Sequence, residues 1–198
     1  MKKVLLALFT LAFCFSSLFA NEAAVKQAIL RDAKFASEGR FIECVKYHTK
    51  DFVATESGFS TKVTYEDSVI MAKMMDGKHP LEFLFFVFKM QTNRYPNAQE
   101  AQRLREQTKN AQILQEYKKL VTAVGTLEKR SQALRMKTMK FKTVQVKGNN
   151  AVAVIDYTCL DSNDQSMKKT VRKTEVIKLR KVNGTWMFTS QASKKLSK

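Results

Sequence analysis

Two places in this chain carry residue types that could move a proton. Asp156 and Tyr157 adjoin within the alternating apolar run from Ala151 to Leu160, and His48 stands three residues before Asp51 in Tyr47-His48-Thr49-Lys50-Asp51-Phe52. A carboxylate, helped by a phenol or an imidazole, can act as a general acid or base when an apolar setting raises its pKa toward neutrality. Strand alternation sends Asp156 and Tyr157 to opposite faces, so only one of them points into an enclosed space. Ala153, Ile155 and Tyr157 share one side, and Val152, Val154 and Asp156 share the other. Asp156 is therefore either an isolated acid or a carboxylate paired with Lys or Arg of a neighbouring strand. His48 and Asp51 are either a base with its helper or members of a local turn, with Asp51 bonding backbone N–H groups. His79 precedes Pro80 and has no evident partner.

Other chemistries lack their signatures. There is no Ser/His/Asp order, no glycine-rich phosphate loop and no metal-spaced cluster, and two histidines are too few and too dispersed for a structural zinc site. No metal and no cofactor is called for. The Phe and Met abundance, Phe83 to Phe88 with Met71, Met74 and Met75, either lines a pocket for a lipid-like ligand or forms plain core.

The elements that position these residues fall into two groups. Val25, Ala28, Ile29, Ala33 and Ala36 recur at helical spacing up to Gly39, a short helical piece covers Arg40 to Lys46, and Tyr47 to Val53 is extended. Thr64-Tyr65-Glu66-Asp67 is a capping box with Asp in place of Glu, opening a helix that runs to Gly77. The run from Leu81 to Phe88 is apolar at nearly every position, and periodicity alone leaves strand and helix open; we read it as a buried strand. Asn97 to Glu100 is a second capping box, starting a long helix to about Ser131 that Gly125 breaks or kinks. Four strands follow: Met139 to Val146, Ala151 to Leu160, Val171 to Val182 and Thr185 to Gln191. Asn183-Gly184 permits positive φ at both centres of a type I′ hairpin turn. The polar stretch Asp161 to Ser166 is a loop, and Ser193 to Lys198 reads as a disordered basic tail.

Met1-Lys2-Lys3, the apolar run Val4 to Leu18 and the small residue Ala20 form an export signal over residues 1–20, too short to span a bilayer. The chain is then periplasmic or secreted, with one domain over 21–192. Of three cysteines the exported chain keeps Cys44 and Cys159, one disulfide candidate, with two buried free thiols as the alternative. The sequence carries 35 Lys and Arg against 18 Asp and Glu, a net charge of +17, which falls to about +15 without the signal. Such a charge favours anionic envelope components or a membrane surface, or else is a solvated surface with no specific partner. Nucleic acid is excluded as partner by export and by the missing recognition motifs. The basic helical segment from Ala98 to Arg130 could itself dock on a membrane surface or a partner helix.

A sheet with one apolar face needs a cover, and the leading helices supply it. With its opening helix and Phe41, the Tyr47 to Phe52 segment entering a first strand, and the closing run Val176-Ile177-Lys178-Leu179-Arg180-Lys181-Val182-Asn183-Gly184-Thr185-Trp186-Met187-Phe188, the chain resembles the nuclear transport factor 2-like (NTF2-like, SnoaL-like) superfamily. The resemblance covers Ala23 to Met75 and Met139 to Ala192; Leu81 to Leu134 departs from the usual spacing and reads as a helical insertion. It implies an α+β fold, N-terminal helices on a curved antiparallel sheet forming a cone. It also implies a pocket, with Tyr157, Trp186, Phe52 and Phe86 as lining candidates and Asp156, His48 and Asp51 as catalytic candidates. Members of that superfamily include isomerases, dehydratases, hydrolases and non-catalytic binding modules, so the fold leaves function open. The expected function is an exported, non-catalytic module binding an apolar small molecule, with a homodimer allowed; the alternative is a cofactor-independent lyase or isomerase.

Overall fold

Asn183 at φ 48° and Gly184 at φ 80° turn the chain where the sequence demands it, and the strands on either side fix the architecture. The computed structural model describes residues 21–57, 62–161, 164 and 168–196. The export signal and most of the polar loop at 161–166 lie outside the described residues. The first helix, α1, covers 21–38. It is followed by α2 (Phe41–Val45), β1 (His48–Glu56), β2 (Val63–Thr64), α3 (Tyr65–Met75), α4 (Pro80–Thr92), α5 (Ala98–Gln107) and α6 (Ala111–Thr138). Strands β3 (Lys140–Lys147), β4 (Asn150–Leu160), β5 (Thr170–Val182) and β6 (Thr185–Lys195) complete the chain.

The strands form one curved, unclosed sheet in the order β2-β1-β6-β5-β4-β3. β3 to β6 are the expected antiparallel meander, while β1 joins β6 in parallel, with a register shift between His48 and Val53. The sheet is thus mixed and has six strands, not four. β6 runs to Lys195 with Lys173↔Lys195 in register, so Ser193 to Lys195, the first part of the stretch expected to be a disordered tail, are strand. Val25, Ala28 and Ile29 of α1 pack on Phe52, Ala153, Ile155, Ile177, Leu179, Trp186 and Phe188 from one face of the sheet, forming the main core.

Three expectations for the middle of the chain change. Leu81 to Phe88 lies in helix α4, not a strand: Pro80 takes the first helical position, where its missing N–H is harmless, and the element runs 13 residues. Phe83 and Phe86 pack against Met74, Tyr117 and Val121 in a second small core. The long helix is two helices, broken at Thr108 to Asn110, where Asn110 caps α6 by accepting from the Gln112 and Ile113 amides. Gly125 neither breaks nor ends α6, which continues to Thr138. Both capping boxes are present, Thr64 with Asp67 and Asn97 with Glu100. Tyr117, fully buried, ties α6 to α3: its hydroxyl donates to the Met74 carbonyl at 3.2 Å and accepts from the His79 amide at 3.1 Å. No described helix is long and apolar enough to cross a membrane.

Candidate functional site

On α1 the residue that follows Val25, Ala28 and Ile29 along the buried stripe is not apolar. It is Asp32, 6% exposed. The inner stripe of α6 behaves similarly, running from Tyr117, Val121 and Val124 into Glu128, Gln132 and Arg135 as it crosses the sheet. The inward phase of β5 reads Lys173, Glu175, Ile177, Leu179, with all four buried. Helix spacing and strand alternation therefore bring charged side chains to one region between α1, α6 and the sheet.

That region is a cavity with two chambers. The inner chamber, about 350 Å³, is lined by Glu56, Ser131, Tyr157, Cys159, Lys173 and Glu175 among others. The outer chamber, about 570 Å³, is lined by Phe41, Phe52, Met71, Met74, Met75 and Phe86, with Asp32 and His48. Val124, Glu128, Gln132, Arg135 and Gln191 border both, so the chambers adjoin along the inner face of α6. One end is apolar and the other ionic.

The ionic end is held by paired groups. Arg135 Nη2 donates to Glu175 Oε2 at 2.7 Å and Nη1 to Gln132 Oε1 at 3.2 Å, and the guanidinium lies 5.1 Å from the centre of the Tyr157 ring. Burial works against the charge on Arg135, but Glu175, Tyr157 and Asp32 together more than offset it and keep Arg135 protonated. Lys173 Nζ donates to Glu56 Oε1 at 2.6 Å. Burial pushes the Tyr157 hydroxyl well above its ordinary range, with Glu175 adding to the effect, so the phenol is a neutral donor at physiological pH.

Asp32 differs from its neighbours. Its Oδ1 is buried without a hydrogen-bond partner, and it forms no salt bridge among the described residues. Burial raises its pKa to about 6; Arg135 opposes the rise and Glu175 adds to it. His48 lines the same outer chamber, its ring stacked on Phe52 at 3.9 Å between centroids. Burial lowers its pKa to about 4, leaving it neutral with Nδ1 unpartnered.

The other expected site residues lie elsewhere. Asp156 sits on the opposite face of β4 from Tyr157, accepting from Thr174 Oγ1 at 2.5 Å with Lys142 Nζ at 3.5 Å, and it lines neither chamber. It is the paired carboxylate of the second reading, because strand alternation that turns Ile155 and Tyr157 inward turns Asp156 outward. Asp51 is on strand β1, not in a turn; it is exposed and accepts from Arg180 Nη2 at 2.8 and 3.0 Å. His48 and Asp51 are consequently separated, one inside and one outside. Phe52, Phe86 and Tyr157 line the cavity, whereas Trp186 is buried in the main core and lines neither chamber. Cys44 and Cys159 are both free and buried. They belong to different layers: Cys44 on α2 donates to the Asp32 backbone carbonyl at 3.5 Å, and Cys159 on β4 lines the inner chamber. No group of metal-binding side chains occurs among the described residues.

No protein-family model matches the sequence, and no curated protein matches it. Solved structures do. An NTF2-like protein with a cystatin-like fold from Novosphingobium aromaticivorans is similar at a TM-score of 0.53 and 10% identity, covering 95% of this chain and 90% of that one. A conserved protein from Planctomyces limnophilus gives 0.49 at 9% identity, over 90% of this chain and 98% of the other. A ketosteroid isomerase-like protein from Erwinia carotovora gives 0.46 at 12% identity, over 89% and 96%. Helices roofing one face of a curved sheet, shared along nearly the whole of both chains with the first of these, give this protein the NTF2-like fold.

Proposed function

We propose that this protein is an exported binding module that holds an apolar or amphipathic small molecule in the cavity between its helices and its sheet. The observation that carries this reading is the outer chamber of about 570 Å³, walled by Phe41, Phe52, Met71, Met74, Met75 and Phe86. A chamber of that size and lining suits a small organic ligand, and methionines let its wall adapt to ligand shape. Export rests on the composition of residues 1–20. The basic exterior would hold the module near anionic envelope components. Native mass spectrometry of gently purified protein should find an apolar adduct. An empty protein that ignores every lipid and small apolar compound offered would overturn the proposal.

One observation favours a second reading, a cofactor-independent lyase or isomerase. Asp32 and His48 line one chamber, and a carboxyl with a pKa of about 6 is poised to exchange protons at neutral pH. In this reading His48 keeps the role expected of it and Asp32 takes the place of Asp156 and Asp51, whose carboxylates lie outside both chambers. Turnover of an identified substrate that survives both Asp32→Asn and His48→Ala would exclude it.

A further inference from the structure

The cavity reverses the charge sign of the molecule that contains it. The chain carries +17 overall. Yet the two chambers are lined by four carboxylates, Asp32, Glu56, Glu128 and Glu175, against two cations, Arg135 and Lys173. The cations are already engaged. Arg135 bonds Glu175 and Gln132, and Lys173 bonds Glu56. Glu128 accepts from Gln132 Nε2 at 2.8 Å. Arg31, next to Asp32 in sequence, lines neither chamber; its guanidinium stacks 3.6 Å from the centre of the Tyr47 ring, with Nε and Nη2 buried and unpaired. What remains is Asp32, buried, with Oδ1 bonded to nothing, among the residues that line the apolar chamber.

A buried carboxylate with one oxygen left unpaired is costly, and a cation brought beside it offsets that cost while forming a charge-assisted hydrogen bond. A ligand carboxylate would meet the reverse situation: it would need Arg135, whose terminal nitrogens already donate to Gln132 and Glu175 and whose one unpaired nitrogen is the buried Nε, and it would lie beside the carboxylates of Asp32, Glu128 and Glu175. A ligand alcohol could donate to Asp32 but would leave the charge in place. We propose that the cavity takes an amphiphilic amine, with its apolar body among Phe41, Phe52, Met74, Met75 and Phe86 and its ammonium group donating to the Asp32 carboxylate. This rests on the cavity-binding reading above and adds the chemical class of the ligand.

The long-range field makes the proposal testable, because a +17 surface attracts fatty anions and repels fatty cations. Preference for the amine must therefore come from the interior. Isothermal titration calorimetry at pH 7.5 would compare decylamine, decanol and decanoate, each below its micelle concentration. Decylamine should bind one to one, about tenfold or more tighter than either competitor, and Asp32→Asn should lower its affinity by about tenfold while leaving decanol unchanged. Asp156→Asn, removing the same charge from the opposite sheet face, should leave all three unchanged. Met75→Trp, which adds bulk to the chamber wall and keeps the Asp32 charge, should abolish binding of all three. If decanol or decanoate binds as tightly as decylamine, or if Asp32→Asn spares the amine, the amine proposal falls and the cavity reading stands. If none of the three binds, both fall.

Discussion

Asp32 and Asp51 are the same side chain in two settings, each with an arginine in its neighbourhood. Asp51 lies on the sheet surface, where the Thr49 hydroxyl and then Arg180 hold its pKa below the ordinary value. Its side chain is 63% exposed and that of Arg180 is 45% exposed, so water screens the pair. Asp32 lies under α6 with Arg135 near it, but Arg135 is turned to Glu175, and burial lifts the Asp32 pKa to about 6. Proximity to a cation therefore does not settle what an acid does; solvent and competing partners settle it. The surface acid is a local detail of sheet geometry. The interior acid lowers the stability of the fold that contains it, which is the expected signature of a group serving a ligand rather than the chain.

The largest effect expected from this contrast follows removal of Arg135. Arg135→Met strips Glu175 of its partner inside the cavity and removes the cation that most opposes the rise of the Asp32 pKa. Loss of one member of a buried pair costs about 3–5 kcal/mol, and denaturant unfolding at pH 7 should show a loss in that range. Adding Glu175→Leu should recover most of it, since replacing both partners with apolar groups leaves no buried charge unpaired. If Arg135→Met costs no more than a surface substitution, the ionic end of the cavity is hydrated and the contrast with Asp51 collapses.

Asp32→Asn should do the opposite and stabilise the protein. The folded-state pKa of about 6 stands above the unfolded value near 3.9, so the folded state binds more protons between those values. Stability consequently falls as pH rises from about 4 through about 6, and the whole penalty is present above that window. Two pH units correspond to about 3 kcal/mol at most, so the Asn variant should gain about 2–3 kcal/mol at pH 8 and almost nothing at pH 4. Chemical denaturation at the two pH values checks both the sign and the window. A variant destabilised at pH 8 would mean that Arg135 stabilises the Asp32 carboxylate more than burial penalises it.

Tyr117→Phe tests a different kind of interior polar group, one that is fully satisfied. The hydroxyl bonds the Met74 carbonyl and the His79 amide, and losing it leaves both without that partner. A loss of about 1–2 kcal/mol is expected, independent of pH between 5 and 8. A pH-dependent loss would indicate coupling between the second small core and the titrating groups of the cavity.

How much of this was legible in the sequence depended on whether local rules act alone. The hairpin at Asn183-Gly184, both capping boxes and the meander follow from turn chemistry and alternation, and the NTF2-like resemblance followed from them. The assignment of Leu81 to Phe88 failed because an all-apolar run has no period, and Pro80 at its start was the cue favouring helix. The parallel pairing of β1 with β6 was invisible, since it joins segments more than 130 residues apart. The cavity acids were partly legible. Asp32 falls in phase with Val25, Ala28 and Ile29; Glu128, Gln132 and Arg135 continue the stripe of Tyr117 and Val121; Lys173 and Glu175 share the phase of Ile177 and Leu179. Charges standing where the period demands apolar residues were the available signal. The carboxylates beside Tyr or His in sequence, Asp156 and Asp51, are placed outside by the same alternation. That Arg135 meets Glu175 rather than Asp32 is a matter of tertiary geometry, and no spacing rule contains it.

The smallest expected effect is at the surface pair itself. Arg180→Ala and Asp51→Asn should each change stability by no more than about 1 kcal/mol, and a double-mutant cycle should give a coupling of about 0.2–1 kcal/mol that shrinks at high salt. The two-contact geometry of Arg180 on Asp51 favours the upper part of that range, but two long exposures to water and the ordering of a flexible side chain work against it. Asp51 and Arg180 also bridge β1 to β5 across β6, so a coupling well above that range would mean that the pair helps hold the parallel β1–β6 junction, where the register shifts between His48 and Val53. In that event His48, placed in the outer chamber by this same strand, should respond as well, and an altered His48 NMR titration in Asp51→Asn would register it. An unchanged His48 with a weak coupling keeps the two faces of the sheet independent, as the contrast between Asp32 and Asp51 requires.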